Sequence, residues 1–407
     1  KILFISLGCD KNLVDSEVML GLLTKNGYTL TDDETQADVI VINTCCFIHD
    51  AKEESINTIL EMAQYKEQNL KALVVAGCLA ERYKDEILKE IPEIDAVLGT
   101  TSYDSIVEAV NMALAENAGE HFEHYESIDY LPDNSEVERV VTTGNHMAYL
   151  KIAEGCDKRC SYCIIPKIRG HFRSVPMEEL LNEAKRLASE GVKELVLVAQ
   201  ETTLYGKDLT GEKQLPLLLH ELCKIEGIEW IRLLYCYPEE ITDELIEAIK
   251  TEEKVCNYID MPIQHSENRI LQRMGRRTSR EDLVAVIKKL RQEIPDITIR
   301  TTLITGFPGE SEEDHEGLMN FVEECKFDRL GVFTYSPEED TLAATFEDQI
   351  DEEVKEARRD ELMSLQQEIS YEHTQQLVGK TIKVMVEGYL FEDDIYVGRS
   401  YMDAPKV

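Results

Sequence analysis

Three cysteines lie close together in the stretch "EGCDKRCSYCIIPKIRG". Cys156, Cys160 and Cys163 have the spacing C-x3-C-x2-C. A structural zinc site uses four protein ligands, and a disulfide framework uses an even number of cysteines. Three thiolates instead suit an iron–sulfur cluster with one iron left open for another ligand. A zinc site with His171 as fourth ligand is the alternative, although the spacing fits no common zinc pattern.

Three more cysteines each follow a strand-like stretch, in "SLGCDKN", "INTCCF" and "VAGCLAE". These are Cys9, Cys45 and Cys78. Strands of one parallel sheet end at the same edge, where such folds bind ligands, so we expect the three thiols to converge there. The alternative is three ordinary buried cysteines. The adjacent Cys46 is expected to point elsewhere. The remaining cysteines have no partner spacing and are expected to pack in the core: Cys223, Cys236, Cys256 and Cys325.

The first cysteine set falls in a predicted doubly wound parallel α/β domain over residues 1–115. Both faces of its strand candidates are apolar, as in buried parallel strands: "KILFISLG", "ADVIVINT", "ALVVAG" and "DAVLG". The segments "NLVDSEVMLGLLTKNG" and "DEILKEIP" predict helices that end at Gly27 and Pro92. Residues 116–144 are acidic and irregular, which predicts a linker.

A second alternation of strands and helices is predicted over residues 145–345. Its six strand candidates are "MAYLKIA", "ELVLVAQ", "IRLLYC", "YIDMPI", "ITIRTTLITG" and "LGVFTYS". Eight βα units close a barrel, so six predict a partial (βα)6 barrel with a lateral opening. The Cys156 loop follows the first of these strands, where such folds place their sites. A charged helix is predicted over 346–378, and residues 379–407 predict the start of an antiparallel β-barrel.

The chain carries 80 acidic and 43 basic residues, a formal net charge of −37. Nucleic-acid binding relies on Lys and Arg, so this balance predicts a basic protein as partner. There is no apolar run long enough to span a membrane, and no signal-peptide pattern at the start. With eleven cysteines better explained as ligands than as disulfides, these features predict a cytoplasmic protein.

The motif "CDKRCSYC" resembles the signature of the radical S-adenosylmethionine superfamily, including the aromatic residue before its last cysteine. Together with "LGCDKNLVDSE", "NTC" and "AGC", it makes the whole chain similar to the methylthiotransferases. The resemblance implies that the open iron of a barrel 4Fe–4S cluster binds S-adenosylmethionine, which one electron cleaves to a 5′-deoxyadenosyl radical. It also implies a second 4Fe–4S cluster on the first cysteine set, carrying the sulfur to be inserted, and a C-terminal TRAM domain.

Two branches of this family differ in substrate. One modifies adenosines of tRNA, and the other modifies an aspartate of small-subunit ribosomal protein twelve. "SLGCDKNLVDSE" resembles the ribosomal-protein branch, and the acidic composition favours a basic ribosomal protein over tRNA. We therefore expect methylthiolation of an aspartate β-carbon, with two S-adenosylmethionine molecules consumed and electron and sulfur donors that the sequence does not identify. The alternatives are a tRNA methylthiotransferase and a non-catalytic iron–sulfur carrier.

Several other residues are predicted to line the cofactor site. By resemblance, Tyr162 is expected near the adenine. Gly306 and Gly309 in "TTLITGFPGE" resemble the family's cofactor-lining strand, with a plain tight turn as the alternative. Gln200 ends a predicted strand and is expected to face the barrel mouth.

Arg232 and Arg300 are basic residues within strands that otherwise look buried. A buried arginine needs an anionic partner, which could be a cofactor carboxylate or an internal salt bridge. His265 follows a predicted strand, and we expect it to be a loop histidine with its hydrogen bonds satisfied rather than a site residue.

Overall fold

The computed structural model describes residues 1–115 and 121–405, which fall into two compact units. The first unit comprises residues 1–142, 154–157 and 164–175, and the second comprises residues 143–153, 158–163 and 176–407. The three-cysteine loop is divided between them, because Cys156 belongs to the first unit and Cys160 and Cys163 belong to the second.

The first unit is built on a five-stranded parallel sheet in which sequence order equals spatial order. Its strands are β1 (Ile2–Ser6), β2 (Val39–Thr44), β3 (Ala72–Gly77), β4 (Ala96–Leu98) and β5 (Phe122–His124). Five helices connect them: α1 (Asp10–Lys25), α2 (His49–Ala63), α3 (Cys78–Arg82), α4 (Ile87–Glu90) and α5 (Ile106–Leu114). Separate apolar clusters lie on the two faces of the sheet, which confirms the doubly wound prediction.

The structure differs from the sequence prediction within the segment expected to be a linker. Its first residues, 116–120, lie outside the described part of the chain. Strand β5 then pairs in parallel with β4, so this segment adds an edge strand to the first sheet. Only one of the three β5 residues is apolar, and a pattern that short carries no strand period.

The second unit contains the six predicted strands, now β6 (Met147–Lys151), β9 (Glu194–Val198), β10 (Trp230–Leu233), β11 (Tyr258–Asp260), β12 (Thr298–Thr305) and β13 (Arg329–Thr334). They form two parallel three-stranded sheets with the orders β10-β9-β6 and β11-β12-β13. A backbone hydrogen bond from Cys236 to Asp260, 2.9 Å long, links the end of β10 to β11. Two-residue strands, β7 (Ala153–Glu154) and β8 (Arg173–Ser174), flank the cysteine loop. The partial barrel is thereby confirmed.

Helices alternate with these strands as predicted. They are α7 (Met177–Ser189), α8 (Lys207–Thr210), α9 (Leu215–Cys223), α10 (Asp243–Thr251), α11 (Asn268–Arg273), α12 (Arg280–Glu293) and α13 (Glu312–Cys325). A short helix after the cysteine loop, α6 (Ile165–Arg169), belongs to the first unit. Helix α13 begins at Glu312, ahead of its apolar pattern, because Ser311 and Asp314 form a capping box. No helix within residues 1–115 and 121–405 is long and apolar enough to cross a bilayer.

The C-terminal region consists of a long helix, α14 (Glu352–Gln375), followed by the hairpin of β14 (Val384–Leu390) and β15 (Ile395–Ser400). The hairpin is antiparallel, as its sequence pattern predicts. Gln366 of α14 donates to the Phe327 carbonyl at 2.8 Å and so holds the helix beside β13. Residues 406–407 of the predicted TRAM segment lie outside the described residues.

Glu194, at the start of β9, is the buried centre of an ion cluster that attaches the hairpin to the barrel. Its Oε1 accepts from Arg232 Nε at 2.7 Å and from Arg399 Nη1 at 3.1 Å. Arg399 also pairs with Glu387 of β14 at 2.7 Å. The Glu194 and Arg232 side chains are fully buried. Such a cluster is stable only while each charge keeps its partner.

Replacing Glu194 by Ala should therefore lower the free energy of unfolding of the second unit by about 3–5 kcal/mol, because the fully buried Arg232 loses its carboxylate and Arg399 keeps only Glu387. The matched control is Glu229→Ala, which breaks an exposed 3.2 Å pair with Lys383 just before β14. That change should cost less than about 1 kcal/mol. Urea unfolding followed by circular dichroism measures both, and equal costs would contradict the role given to Glu194.

Candidate active site

Cys9, Cys45 and Cys78 follow the carboxyl ends of β1, β2 and β3. Gly8 has a φ of +89°, and a Cβ at this position would lie 2.9 Å from Cys45 Sγ, so the Cys9 loop packs directly on Cys45. The thiols of Cys9 and Cys45 are also close enough to act on the pKa of Cys78. These contacts place the three thiols in the same part of the first unit, and their role as cluster ligands stays a prediction.

Burial raises the pKa of the Cys45 thiol, and it raises that of Cys78 well above its usual range. The charge of Arg169 acts in the opposite direction on both groups. Any metal that these thiols bind must displace protons from the buried ones, which couples binding to pH. Cys9, by contrast, is exposed.

Cys46 packs in the apolar cluster on one face of the first sheet and is fully buried. Its thiol contributes to the raised pKa of Cys78. It therefore lies close to Cys78, although the sequence analysis expected it to point elsewhere.

Two side chains that the sequence analysis did not single out connect the loops of this triplet. Asn12 Nδ2 donates to the carbonyls of Leu7 at 2.9 Å and Thr44 at 2.8 Å, which lie just before Cys9 and Cys45. Its Oδ1 accepts from Arg169 Nη2, and the same nitrogen lies 3.5 Å from Cys78 Sγ. The available signal for Arg169 was its place beside Ile168 in "IIPKIRG", a stretch in which Lys167 is the other charged residue.

In the second unit, the segment that carries Cys160 and Cys163 is anchored by its backbone and by Ser161. Ser161 donates its N–H to the Met274 carbonyl at 2.9 Å and its hydroxyl to the Arg273 carbonyl at 2.8 Å. The Cys163 N–H donates to the Cys160 carbonyl at 3.1 Å. These bonds give the two cysteines a defined backbone conformation.

Tyr162 packs edge-on against Phe307, with ring centroids 6.4 Å apart. Burial and the neighbouring Cys160 thiol raise the pKa of its hydroxyl well above the usual range. Phe307 follows Gly306, so the ring predicted to lie near the adenine contacts the predicted cofactor-lining loop. The adenine contact itself stays a prediction.

Cys156 belongs to the first unit, where its N–H donates to the Gly170 carbonyl at 3.1 Å. Gly155 has a φ of +79°, and a Cβ there would lie 2.1 Å from the His171 carbonyl oxygen, so only glycine fits. His171 is exposed and its Nδ1 pairs with Asp157 at 2.7 Å. Zinc-ligating histidines commonly pair their other ring nitrogen with a carboxylate, so this contact leaves the zinc alternative open.

The part of the chain that the structure describes contains no group of three Cys, His, Asp or Glu side chains placed to hold one metal ion. A single zinc ion needs its sulfurs about 2.3 Å from one centre. A four-iron cluster binds each thiolate to a different iron and therefore needs them farther apart. Three thiolates are the donor chemistry of such a cluster with one iron left open.

Lys158, within the cysteine loop, is buried among carboxylates that follow β9 and β10. Its Nζ lies 2.5 Å from Glu240, 3.1 Å from Glu239 and 3.8 Å from Glu201. These partners are widely separated in sequence, and only the common edge of the parallel strands brings them together. Sequence analysis missed the group for that reason.

Glu201 is the most buried of these carboxylates. Burial raises its pKa to about 8, although the Thr203 hydroxyl and Lys158 act in the opposite direction. Its Oε2 accepts no hydrogen bond from any described residue. A largely protonated carboxyl group therefore stands just past Gln200, which is half-buried beyond the end of β9.

Arg276 is a second residue that the sequence analysis missed. It is buried, lies over the Tyr237 ring at 4.5 Å and donates from Nη2 to the Pro262 carbonyl at 2.8 Å. Its Nε and Nη1 are buried without a hydrogen-bond partner among the described residues. The guanidinium is close enough to Tyr162 to counteract the rise in that pKa, so its unused donors lie near the cysteine loop.

The two arginines singled out from sequence have internal partners. Arg232 pairs with Glu194, and Arg300 Nη1 lies 2.7 Å from Asp260 Oδ1. Both thus have the salt bridge that was the alternative to a cofactor carboxylate. His265 is buried and its Nε2 pairs with Glu310 at 3.0 Å, which agrees with a satisfied loop histidine.

Gly306 has a φ of +67°, and a Cβ there would lie 2.2 Å from Lys355 Cγ of α14. Glycine is required both by the backbone and by this close approach. The Gly306 N–H donates to Glu310 Oε1 at 3.1 Å, and Arg358 of α14 lies 2.8 Å from the same oxygen. Helix α14 therefore braces the loop predicted to line the cofactor.

Comparison with known proteins assigns both units. Residues 1–99 match the Uncharacterized protein family UPF0004, and residues 150–322 match the Radical SAM superfamily. Among solved structures, TsrM from Kitasatospora setae, a radical S-adenosylmethionine methyltransferase, aligns with a TM-score of 0.60 at 14% identity, over 84% of this chain and 76% of that chain. The radical enzyme OxsB aligns at 0.55 and 12% identity, over 98% of this chain and 64% of that chain. The fold is that of radical S-adenosylmethionine enzymes.

Relatives of much higher identity define the family. The ribosomal protein uS12 methylthiotransferase RimO of Lachnoclostridium phytofermentans is 64% identical over 408 residues, which is 100% of this chain and 92% of the relative. The protein of the same name from Clostridium perfringens is 53% identical over 100% of this chain and 90% of the relative. The chain belongs to the RimO family of radical S-adenosylmethionine methylthiotransferases. It is a sulfur-transferring enzyme that uses S-adenosylmethionine and an iron–sulfur cluster, which argues against the non-catalytic carrier.

The raised pKa of Glu201 predicts a pH-dependent stability. With a pKa of about 8 in the folded chain, against about 4.3 when unfolded, Glu201 keeps a proton on folding between these values. The contribution of this proton to the free energy of unfolding is complete below about pH 4.3. It is lost towards pH 8, and the free energy of unfolding falls by about 1.4 kcal/mol per pH unit over this range. Glu201→Gln removes this dependence. Wild type should therefore lose unfolding free energy relative to the variant in urea titrations as pH rises over this range, and parallel pH profiles would contradict it.

Proposed function

We propose that this chain attaches a methylthio group to the β-carbon of an aspartate in ribosomal protein uS12. The relatives that align with 100% of this chain carry the name ribosomal protein uS12 methylthiotransferase. The C–H bond at such a carbon has no acidic proton, so general-base chemistry does not reach it and a radical does. The observation that carries the proposal is a second set of three thiols, those of Cys9, Cys45 and Cys78, at the edge of the first sheet. The chain has this set in addition to the three cysteines of the signature loop.

We propose two 4Fe–4S clusters, each with three cysteine ligands. One would be held by the signature loop and the other by the first sheet, through Cys156, Cys160 and Cys163 and through Cys9, Cys45 and Cys78. When bound, the clusters supply the electron that cleaves S-adenosylmethionine and the sulfur that is transferred. The protein contributes the thiols, four of them buried, the loops that carry them and, at the first site, the Asn12 and Arg169 hydrogen bonds.

For S-adenosylmethionine itself, we assign the carboxylate to Arg276 in place of Arg232 and Arg300. Arg276 keeps two donors without a described partner, Nε and Nη1, and either can donate a charge-assisted hydrogen bond to a carboxylate oxygen. Arg232 and Arg300 already hold carboxylates. Glu201 is the candidate for the cofactor ammonium, since a cation beside it would stabilise its ionised form. For Tyr162, Gly306 and Gln200 the proposal is the one made from sequence, that they line the cofactor site.

The surface charge supports a basic protein as substrate. The net charge is −37, and the hairpin turn at 392–394 exposes three consecutive acidic residues. Such a surface attracts a basic ribosomal protein and repels tRNA. A cytoplasmic location follows from this substrate.

The direct test is product formation by the anaerobically reconstituted chain with reductant and S-adenosylmethionine. Free uS12 should gain one methylthio group at an aspartate, detected by mass spectrometry of its peptides. Binding should weaken as salt rises above physiological strength, where the screening length is about 8 Å. Bulk tRNA should compete poorly. Modification of tRNA without modification of uS12 would overturn the substrate assignment.

The role of Arg276 predicts a cofactor-binding defect. Arg276→Gln should weaken S-adenosylmethionine binding by at least about tenfold, because hydrogen bonds to a charged group contribute about 1.5–3 kcal/mol. Equilibrium binding measures this, and iron content should not change. The control is Arg277→Gln. Arg277 is the exposed neighbour of Arg276, so this change should leave the affinity for S-adenosylmethionine unaltered. Wild-type affinity in the Arg276 variant would contradict the assignment.

A further inference from the structure

The guanidinium of Arg169 is enclosed by four buried side chains of the first unit. Nη1 lies 2.9 Å from Asp15 Oδ2 and 3.2 Å from Glu154 Oε2. Nη2 donates to Asn12 and lies 3.5 Å from Cys78 Sγ. Arg169 is only 2% exposed, so these contacts are made out of reach of water.

The backbone that carries Arg169 is firmly held. Ile164, just before α6, and Ile168, within it, pack in an apolar cluster of the first sheet. Thr100 donates its hydroxyl to the Ile168 carbonyl at 2.8 Å. The arginine therefore projects from a fixed point towards the cysteine triplet.

The two carboxylates orient the guanidinium. A guanidinium group is planar, so holding Nη1 between Asp15 and Glu154 determines where Nη2 points. The ion pairs with Asp15 and Glu154 account for the position of Nη1. They do not account for Nη2, which is directed at the sulfur of Cys78. The placement of Nη2 beside Cys78 is thus a separate feature of the site.

Asn12 extends the same network to the other two cysteines. Its amide nitrogen is held by the carbonyls that precede Cys9 and Cys45, which turns its oxygen towards Arg169. One chain of hydrogen bonds consequently reaches the loops of all three thiols.

We propose that Arg169 is a positioning residue for the cluster of the first triplet, donating a hydrogen bond to the Cys78 thiolate and holding Asn12 against the Cys9 and Cys45 loops. This inference rests on the second cluster of the proposed function. Hydrogen bonds to cluster sulfurs favour the more negative, reduced state and so raise the reduction potential. They also oppose loss of iron.

The test uses the full chain with Cys156, Cys160 and Cys163 replaced by Ala, so that only the first cluster remains. In this parent, Arg169→Lys keeps the positive charge. The lysine ammonium lacks the planar guanidinium that contacts the two carboxylates, Asn12 and Cys78 at the same time. At a fixed potential the ratio of reduced to oxidised cluster should fall about tenfold, a shift of about 59 mV for one electron. Electron paramagnetic resonance during a redox titration measures this. Iron should also be lost faster to a chelator.

The control is Arg173→Lys in the same parent, since Arg173 lies on the same segment but donates to the carbonyls of Arg169 and His171. It should leave the potential unaltered. If the Arg169 variant does not fold by circular dichroism, Arg169→Gln with Asp15→Asn and Glu154→Gln removes the buried charges together and should shift the potential in the same direction.

The outcomes separate the two proposals. A folded parent without iron would refute the second cluster, and with it the proposed function. A parent with iron whose potential and rate of iron loss are unaltered by the folded Arg169 variants would overturn the role of Arg169 alone. Loss of iron from a folded Arg169→Lys chain would support it.

Discussion

The arrangement of this protein depends on one constraint: the strands of a parallel sheet end at the same edge. In the first unit that edge collects three cysteines that are far apart in sequence. In the second unit it collects the carboxylates around Lys158, which follow neighbouring strands. The chemistry of each site is then set by loops that begin where the hydrogen-bonded ladder stops.

The pairing of buried charges separates structural from functional residues. Arg232 is one of the largest fully buried side chains, and Glu194 pairs with its Nε and links it to the C-terminal hairpin through Arg399. One of its nitrogens, Nη2, has no hydrogen-bond partner among the described residues. Arg276 is also buried and has no ion pair among these contacts, and two of its nitrogens, Nε and Nη1, lack a hydrogen-bond partner among the described residues. Because burying unpaired donors costs free energy, such a group is best explained by a ligand that arrives later.

The sequence predicted whatever was local. Cys9, Cys45 and Cys78 were found because each follows an apolar strand, and the signature loop was found from its spacing. Partners across long sequence separations could not be read in this way: Arg169 is 154 positions from Asp15 and 91 from Cys78. Strand β5 was not predicted because its three residues are too few to show an alternating pattern. Arg232 and Arg300 were identified as buried cations, but only coordinates could choose between a salt bridge and a ligand.

The central claim is that the two cysteine triplets divide the chemistry. Its most direct test measures 5′-deoxyadenosine and methylthiolated uS12 side by side in Cys9→Ala and Cys160→Ala. Cys9 is chosen because it is exposed and because Cys46, near Cys78, could replace a lost ligand there. Cys9→Ala should still release 5′-deoxyadenosine but make no product, whereas Cys160→Ala should lose both. A folded Cys9→Ala chain that still makes methylthiolated uS12 would contradict the account.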